Sequence, residues 1–161
     1  MVRLMLAAFF SGVLFALSGC TPDAEPTGDA ATGFTAEGRL AFLAPQGDTL
    51  TTIAIEIADT PDTRARGLMR RRSLGYNRGM LFIYDVPDTN GMWMKNTPLP
   101  LDIIFVNEQK EVINIARRTT PFSETPIRPD QPALYVVEVR AGFAKRFGIT
   151  SDTRLQWTRT S

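Results

Sequence analysis

The chain has 161 residues, with 18 Lys and Arg against 17 Asp and Glu, no His and one Cys. That length suits one domain, and the absence of imidazole excludes Ser-His-Asp and Cys-His nucleophile pairs, His-ligated zinc and a proton relay titrating near neutral pH. Charges that nearly cancel provide no field to draw nucleic acid, so any chemistry falls to acids, Lys, Arg and hydroxyls.

Residues 1–20 read MVRLMLAAFFSGVLFALSGC: one charge, Arg3, then an apolar run from Leu4 to Leu17, then small residues. This is the layout of a secretory signal. The run is shorter than the roughly 20 residues that cross a bilayer as a helix. Its end, Leu17-Ser18-Gly19-Cys20, resembles the lipobox of bacterial lipoproteins, which implies a signal peptide over 1–19 and lipidation of Cys20. Lipid on Cys20 would make the membrane a partner and place the domain in the periplasm-facing cell envelope. It would also leave no thiol for a disulfide, so a hydrophobic core must carry the fold. Thr21 stands where an Asp typically marks inner-membrane retention, which favours the outer membrane. Removal of 1–19 takes away Arg3 alone and leaves the chain formally neutral. Residues 20–36, rich in Pro, Gly, Thr, Ala and Asp and without an apolar period, read as a flexible tether.

A single folded domain is expected over 37–158. Arg39–Ala44 reads as a strand, 45–48 as a turn, and Ile53, Ile55 and Ile57 alternate with smaller or polar residues in the period-two pattern of a half-buried strand. Thr60-Pro61 looks like a helix start, with an apolar stripe of Ala65, Leu68 and Met69 and an end near Leu74-Gly75. Further strands are expected over 80–86, 92–97, 102–106, 111–117, 134–140 and 153–158, with a hairpin turn at 107–110, a Pro-rich loop over 119–132 and a short helix over 141–147. About eight short strands with one or two short helices predict a mainly β domain, a compact antiparallel sandwich or jelly-roll-like barrel.

Three segments carry a resemblance. Arg64-Ala65-Arg66-Gly67-Leu68-Met69-Arg70-Arg71-Arg72-Ser73-Leu74, then Gly79-Met80-Leu81-Phe82, then Trp93-Met94-Lys95-Asn96-Thr97 followed by Pro100-Leu101-Asp102-Ile103-Ile104-Phe105, resemble domain-of-unknown-function family 192. The likeness extends from about Ile53 to Leu155 and includes Val137-Glu138-Val139 and Ala141-Gly142. It implies a compact, mainly β domain and no reaction, substrate or cofactor. Met92 stands where an aromatic commonly precedes the Trp, and Ser151 where a Gly commonly precedes the Asp.

If 92–97 is a strand, Trp93, Lys95 and Thr97 share one face and Met92, Met94 and Asn96 the other. A Lys beside a Trp suits a pocket in which a ring stacks and an ammonium pairs with an anion; the alternative is a core Trp with a snorkelling Lys. Asp102, alone in LDIIFV, needs a cation, for which Lys95 or a helix Arg are candidates. Six Arg and no acid lie between Arg64 and Arg78, and Arg64 and Arg71 could grip a carboxylate or phosphate from adjacent helical turns. Met69, Met80, Met92 and Met94 are soft donors for Cu(I), but with no His neither a metal nor a cofactor is expected. Asp102 with Glu138 could form a glycosidase-like pair if close together. The expected function is an envelope module that binds an anionic or sugar-like ligand through Arg64, Arg71, Trp93, Lys95, Asn96 and Asp102. Alternatives are an acid- and Lys-based hydrolase or lyase, and an envelope scaffold.

Overall fold

The structure is a computed structural model that describes residues 33–160. The signal segment, Cys20 and most of the tether lie outside the described residues. Seven strands and two short helices follow one another as β1 (Gly38–Leu43), β2 (Thr49–Ala58), α1 (Pro61–Arg66), β3 (Arg78–Asp88), β4 (Leu101–Val106), β5 (Val112–Ala116), β6 (Ala133–Arg140), α2 (Phe143–Arg146) and β7 (Arg154–Arg159).

The domain is mainly β, as the turn-punctuated sequence predicts. All strands join one sheet in the order β5-β4-β6-β3-β2-β1-β7. Every pairing is antiparallel except β2 with β3, which run parallel. The sheet is therefore mixed, where a purely antiparallel one was expected. A parallel pair cannot be joined by a tight turn, and residues 59–77 make the crossover. The sheet curls until its edges touch: Val112 N–H donates to Thr153 O (3.0 Å), Leu155 N–H donates to Lys110 O (2.8 Å), and Arg154 pairs with Glu111 (2.5 Å). Contact between the edges removes part of the unpaired margin that an open sheet exposes.

Both faces of the central strands are covered. The concave side holds Leu40, Phe42, Ile53, Ile55, Leu81, Ile104, Val137 and Val139, against which α2 sets Phe143 and Ala144. The outer side holds Leu68, Leu74, Met80, Phe82, Met94, Leu101, Ile103 and Phe105. This double cover is why β4, LDIIFV, is buried at all six positions. Phe34 and Thr35, in the stretch read as tether, lie against the domain: the Phe34 ring sits 4.9 Å from the Arg78 guanidinium, and Thr35 N–H donates to Glu56 (3.2 Å).

Two expected elements differ. The helix after Thr60 is capped as the sequence indicates, with the Thr60 hydroxyl accepting from Thr63 N–H and Pro61 in the first turn. It stops at Arg66, because Gly67 takes φ 46° and ψ −137°, a region that in practice only glycine occupies. Residues 92–97 form a single bridge between Met92 and Ile127, then a turn in which Thr97 N–H donates to Met94 O (3.0 Å) and Asn96 adopts φ 55°. Pro98 and Pro100 lack the amide hydrogens that a continuing ladder needs.

Candidate functional site

The sheet register selects which acids reach the outer side. Glu138 on β6 pairs with Met80 on one side and Ile103 on the other, and Met80 in turn pairs with Glu56 on β2. Glu56, Met80, Glu138 and Ile103 thus form a row across the outer face, and the two acids in it are treated differently. Glu56 is neutralised by Arg71, whose Nη2 lies 2.7 Å away. Glu138 is 4% exposed, and burial pushes its carboxyl up to about 8, with no cation or hydrogen-bond donor among the described residues to offset the shift. At neutral pH it therefore keeps its proton.

Above Glu138 lies a cavity of about 250 Å³. Phe82 and Tyr84 of β3 form one wall, the end of α1 with Gly67 and Met69 forms the roof, and Met92, Trp93, Lys95 and Thr97 form the rim. The Tyr84 hydroxyl donates to Met92 Sδ (3.3 Å). Burial raises the Tyr84 phenol above its ordinary value, and Glu138 adds to the rise while Arg64 opposes it. Trp93 is 47% exposed, with Lys95 Nζ 5.0 Å from its ring. A flat aromatic half in water above a neutral carboxyl group is the main chemical feature of the site.

Gly67 makes this cavity possible. A Cβ at that position would meet Phe82 Cζ at 3.2 Å and stand 3.8 Å from Glu138 Oε2. Gly67→Ala is expected to cost about 2 kcal/mol in thermal unfolding, from backbone strain combined with the Phe82 contact.

The structure brings together some of the residues singled out in sequence and separates others. Arg64, Trp93 and Lys95 line the cavity. Arg64 is already engaged, with Nη1 donating to Asp59 O (2.9 Å) and Ile83 O (2.8 Å) and Nη2 3.3 Å from Asp85, so it braces α1 against β3. Lys95 lies 3.9 Å from Glu124 at the surface. Arg71 is not on the helix; it lies beyond the 67–69 turn, bound to Glu56. Asn96 is a turn residue whose carbonyl accepts from Arg70 N–H (2.7 Å), and it is outside the cavity lining.

Asp102 also differs from expectation, since it pairs with neither Lys95 nor an Arg side chain. One oxygen accepts from Arg118 N–H and the other from Ala144 N–H, both at 2.9 Å. The second bond serves the first turn of α2, whose N-cap, Gly142, offers no side chain. Asp102 pairs with Val139, one residue beyond Glu138, so the two acids lie on opposite faces of the sheet. A glycosidase-like pair of Asp102 and Glu138 is therefore not formed. Met69 and Met92 line the cavity, while Met80 and Met94 are buried in the outer core.

Tyr84 was not singled out in the sequence, and Glu138, the floor of the cavity, was considered only as a partner for Asp102. Glu138 carried a usable signal: like Asp102, it is a lone charge in an apolar strand, LYVVEV.

A single curled mixed sheet with a covered outer face and two short helices defines a compact, mainly β domain. The chain belongs to domain-of-unknown-function family 192, described as "Uncharacterized ACR", whose model matches residues 42–157. It is similar to a crystal structure from Sinorhizobium meliloti 1021 described as a putative transcription regulator, at 35% identity and TM-score 0.72, covering 78% of this chain and 98% of that one. It is also similar to a protein of unknown function from Novosphingobium aromaticivorans, at 38% identity and TM-score 0.70, covering 74% of this chain and 84% of that one. No curated protein matches.

Proposed function

We propose that the domain binds a small, neutral, hydroxyl-rich ligand of sugar-like chemistry in the cavity over Glu138. The observation that carries this reading is a buried carboxyl group, without a cation partner among the described residues, at the floor of an accessible cavity, where burial pushes it up to about 8. A protonated carboxyl group both donates and accepts, which matches a sugar hydroxyl that does the same. The half-exposed Trp93 supplies a face for an aliphatic ring, and about 250 Å³, at the small end of ligand cavities, limits the occupant to one ring or a short chain. Of the two ligand classes weighed from sequence, an anion is disfavoured here. Arg64 and Arg71 are committed to Asp85 and Glu56, and Glu138 would repel an anion once ionised.

Calorimetric titration with a panel of monosaccharides and polyols tests this. At least one is expected to bind at about pH 7; Glu138→Leu should abolish that binding and Trp93→Ala weaken it about tenfold, in line with the loss of one stacked ring. No binding across the panel, or binding indifferent to Glu138, overturns the reading. An acid- and Lys-based hydrolase or lyase would pair Glu138 with Lys95 of the same lining, and binding is favoured over it because Lys95 lies at the rim, 3.9 Å from Glu124 at the surface.

The lipobox-like end at Cys20 supports a place for this module in the bacterial envelope, held by lipid on a membrane, with the outer membrane favoured. Cys20→Ser is expected to move the full chain from the membrane to the soluble fraction; unchanged membrane association would contradict the anchor.

A further inference from the structure

A second concave surface lies apart from the cavity over Glu138 and has the opposite chemistry. It is a cleft of about 560 Å³ between the 72–76 segment, the 99–100 turn and the end of β6, and its lining includes Arg72, Tyr76, Arg118 and Arg140 and no acid. A fourth guanidinium joins from α2. Arg140 and Arg146 lie 4.8 and 4.9 Å from the Tyr76 ring centre. Arg118 is brought beside the same ring: a Cβ on Gly142 would meet Arg118 Nη2 at 3.3 Å and the Tyr76 hydroxyl at 3.5 Å, and Gly142 has none.

None of these four guanidiniums makes an ion pair among the described residues, whereas Arg64, Arg71, Arg154 and Arg159 each do. Like charges gathered without counter-charge in a chain of formal net charge +1 repel one another, yet the backbone is arranged to hold them. Arg118 adopts φ 50°, uncommon for a residue with a side chain, and its N–H is fixed by the buried Asp102. Tyr76 is held by its hydroxyl donating to Ala141 O (3.2 Å). The aromatic ring orients the planar guanidiniums stacked on it.

We infer that the cleft around Tyr76, formed by Arg72, Arg118, Arg140 and Arg146, is a binding site for a phosphate-bearing ligand. Planar guanidiniums match phosphate oxygens by paired hydrogen bonds, and several converging on one cleft suit a dianion better than a single carboxylate. The phosphate could be that of a soluble phosphoester or of a lipid headgroup.

Calorimetry with inorganic pyrophosphate, together with co-sedimentation on phosphatidylglycerol vesicles, tests the site in the domain spanning 33–160. The double variant Arg140→Gln/Arg146→Gln is compared with Arg39→Gln/Arg154→Gln, which removes the same charge elsewhere. Pyrophosphate is expected to bind one to one, at least about tenfold more weakly in the first variant and unchanged in the second. Vesicle binding that depends on Arg140 and Arg146, with no uptake of pyrophosphate, also supports the site and assigns the phosphate to lipid. Equal loss in both variants, or no binding to either probe, overturns it. Saturable binding to duplex DNA but not to pyrophosphate or vesicles overturns it as well, in favour of a nucleic-acid surface. All four substituted residues are exposed and Arg154 gives up a surface ion pair with Glu111, so each double variant is expected to lower the unfolding temperature by no more than about 5 °C, which is checked alongside.

Discussion

Glu138→Gln is expected to stabilise the domain at about pH 8.5 by several kcal/mol and to leave its stability almost unchanged near pH 4. In the folded domain the Glu138 carboxyl keeps its proton until about pH 8, whereas the unfolded chain releases it near 4.5. Between those values the unfolded state binds fewer protons than the folded state, so stability falls as pH rises through the window and levels off above it. At about 1.4 kcal/mol per pH unit, the ceiling is about 5 kcal/mol. Gln has no proton to release, so the slope due to this group disappears from the variant. Arg64, Tyr84 and Lys95 also face the cavity, and they remain in both proteins, so the difference isolates Glu138. Urea unfolding of the two proteins at four or five pH values measures it. Parallel curves would mean that Glu138 ionises as readily folded as unfolded.

The sign of this effect bears on function. An acid in the middle of an apolar sheet face lowers stability at and above neutral pH, while Glu56, two strands away on the same face, is neutralised by Arg71. A side chain that costs stability and opens onto a cavity is what a binding site requires, since sites carry groups that packing alone would not select.

The second large effect concerns an acid with a structural role. Asp102→Ala removes the acceptor for Arg118 N–H and Ala144 N–H, the second of them buried. At roughly 1–3 kcal/mol for each amide left without a partner, the expected cost is about 3–5 kcal/mol. For a domain of this size that lowers the unfolding temperature by about 10 °C or more. Asp102→Asn keeps one acceptor oxygen and should lose about half as much. Because Asp102 faces away from the Glu138 cavity, ligand binding there should survive in whatever fraction remains folded. Loss of binding with unchanged stability would instead return Asp102 to the site.

Much of the scaffold was legible because it is local. Alternation at Ile53, Ile55 and Ile57 marks β2, the turn at 107–110 joins β4 to β5, and a run that is apolar apart from Asp102 marks β4 as covered on both faces. The parallel pairing of β2 with β3 was not legible, since it depends on where the crossover lands and not on either strand's own pattern. The segment 92–97 alternates like a strand but ends in two prolines that prevent a continuing ladder. The helix reading followed the apolar stripe through Leu68 and Met69 past Gly67, whose backbone angles end the helix after Arg66. Asp102 was read as needing a cation, and none pairs with it among the described residues. Its partners are backbone amides 16 and 42 residues away, and no side-chain pattern announces them. Glu138 carries the same lone-charge signal, but its distinctive property is the lack of a partner among the described residues, which appears only once the register sets it between Met80 and Ile103.

The direct measurement is a titration of the Glu138 carboxyl carbon by NMR, in the domain spanning 33–160 selectively labelled at glutamate, with Glu138→Gln to assign the resonance. A midpoint near 8 is predicted, with the group protonated at neutral pH and able to donate to a ligand hydroxyl. A midpoint in the ordinary carboxylate range, near 4.5, would put a bare negative charge at the cavity floor and contradict the proposed mode of binding.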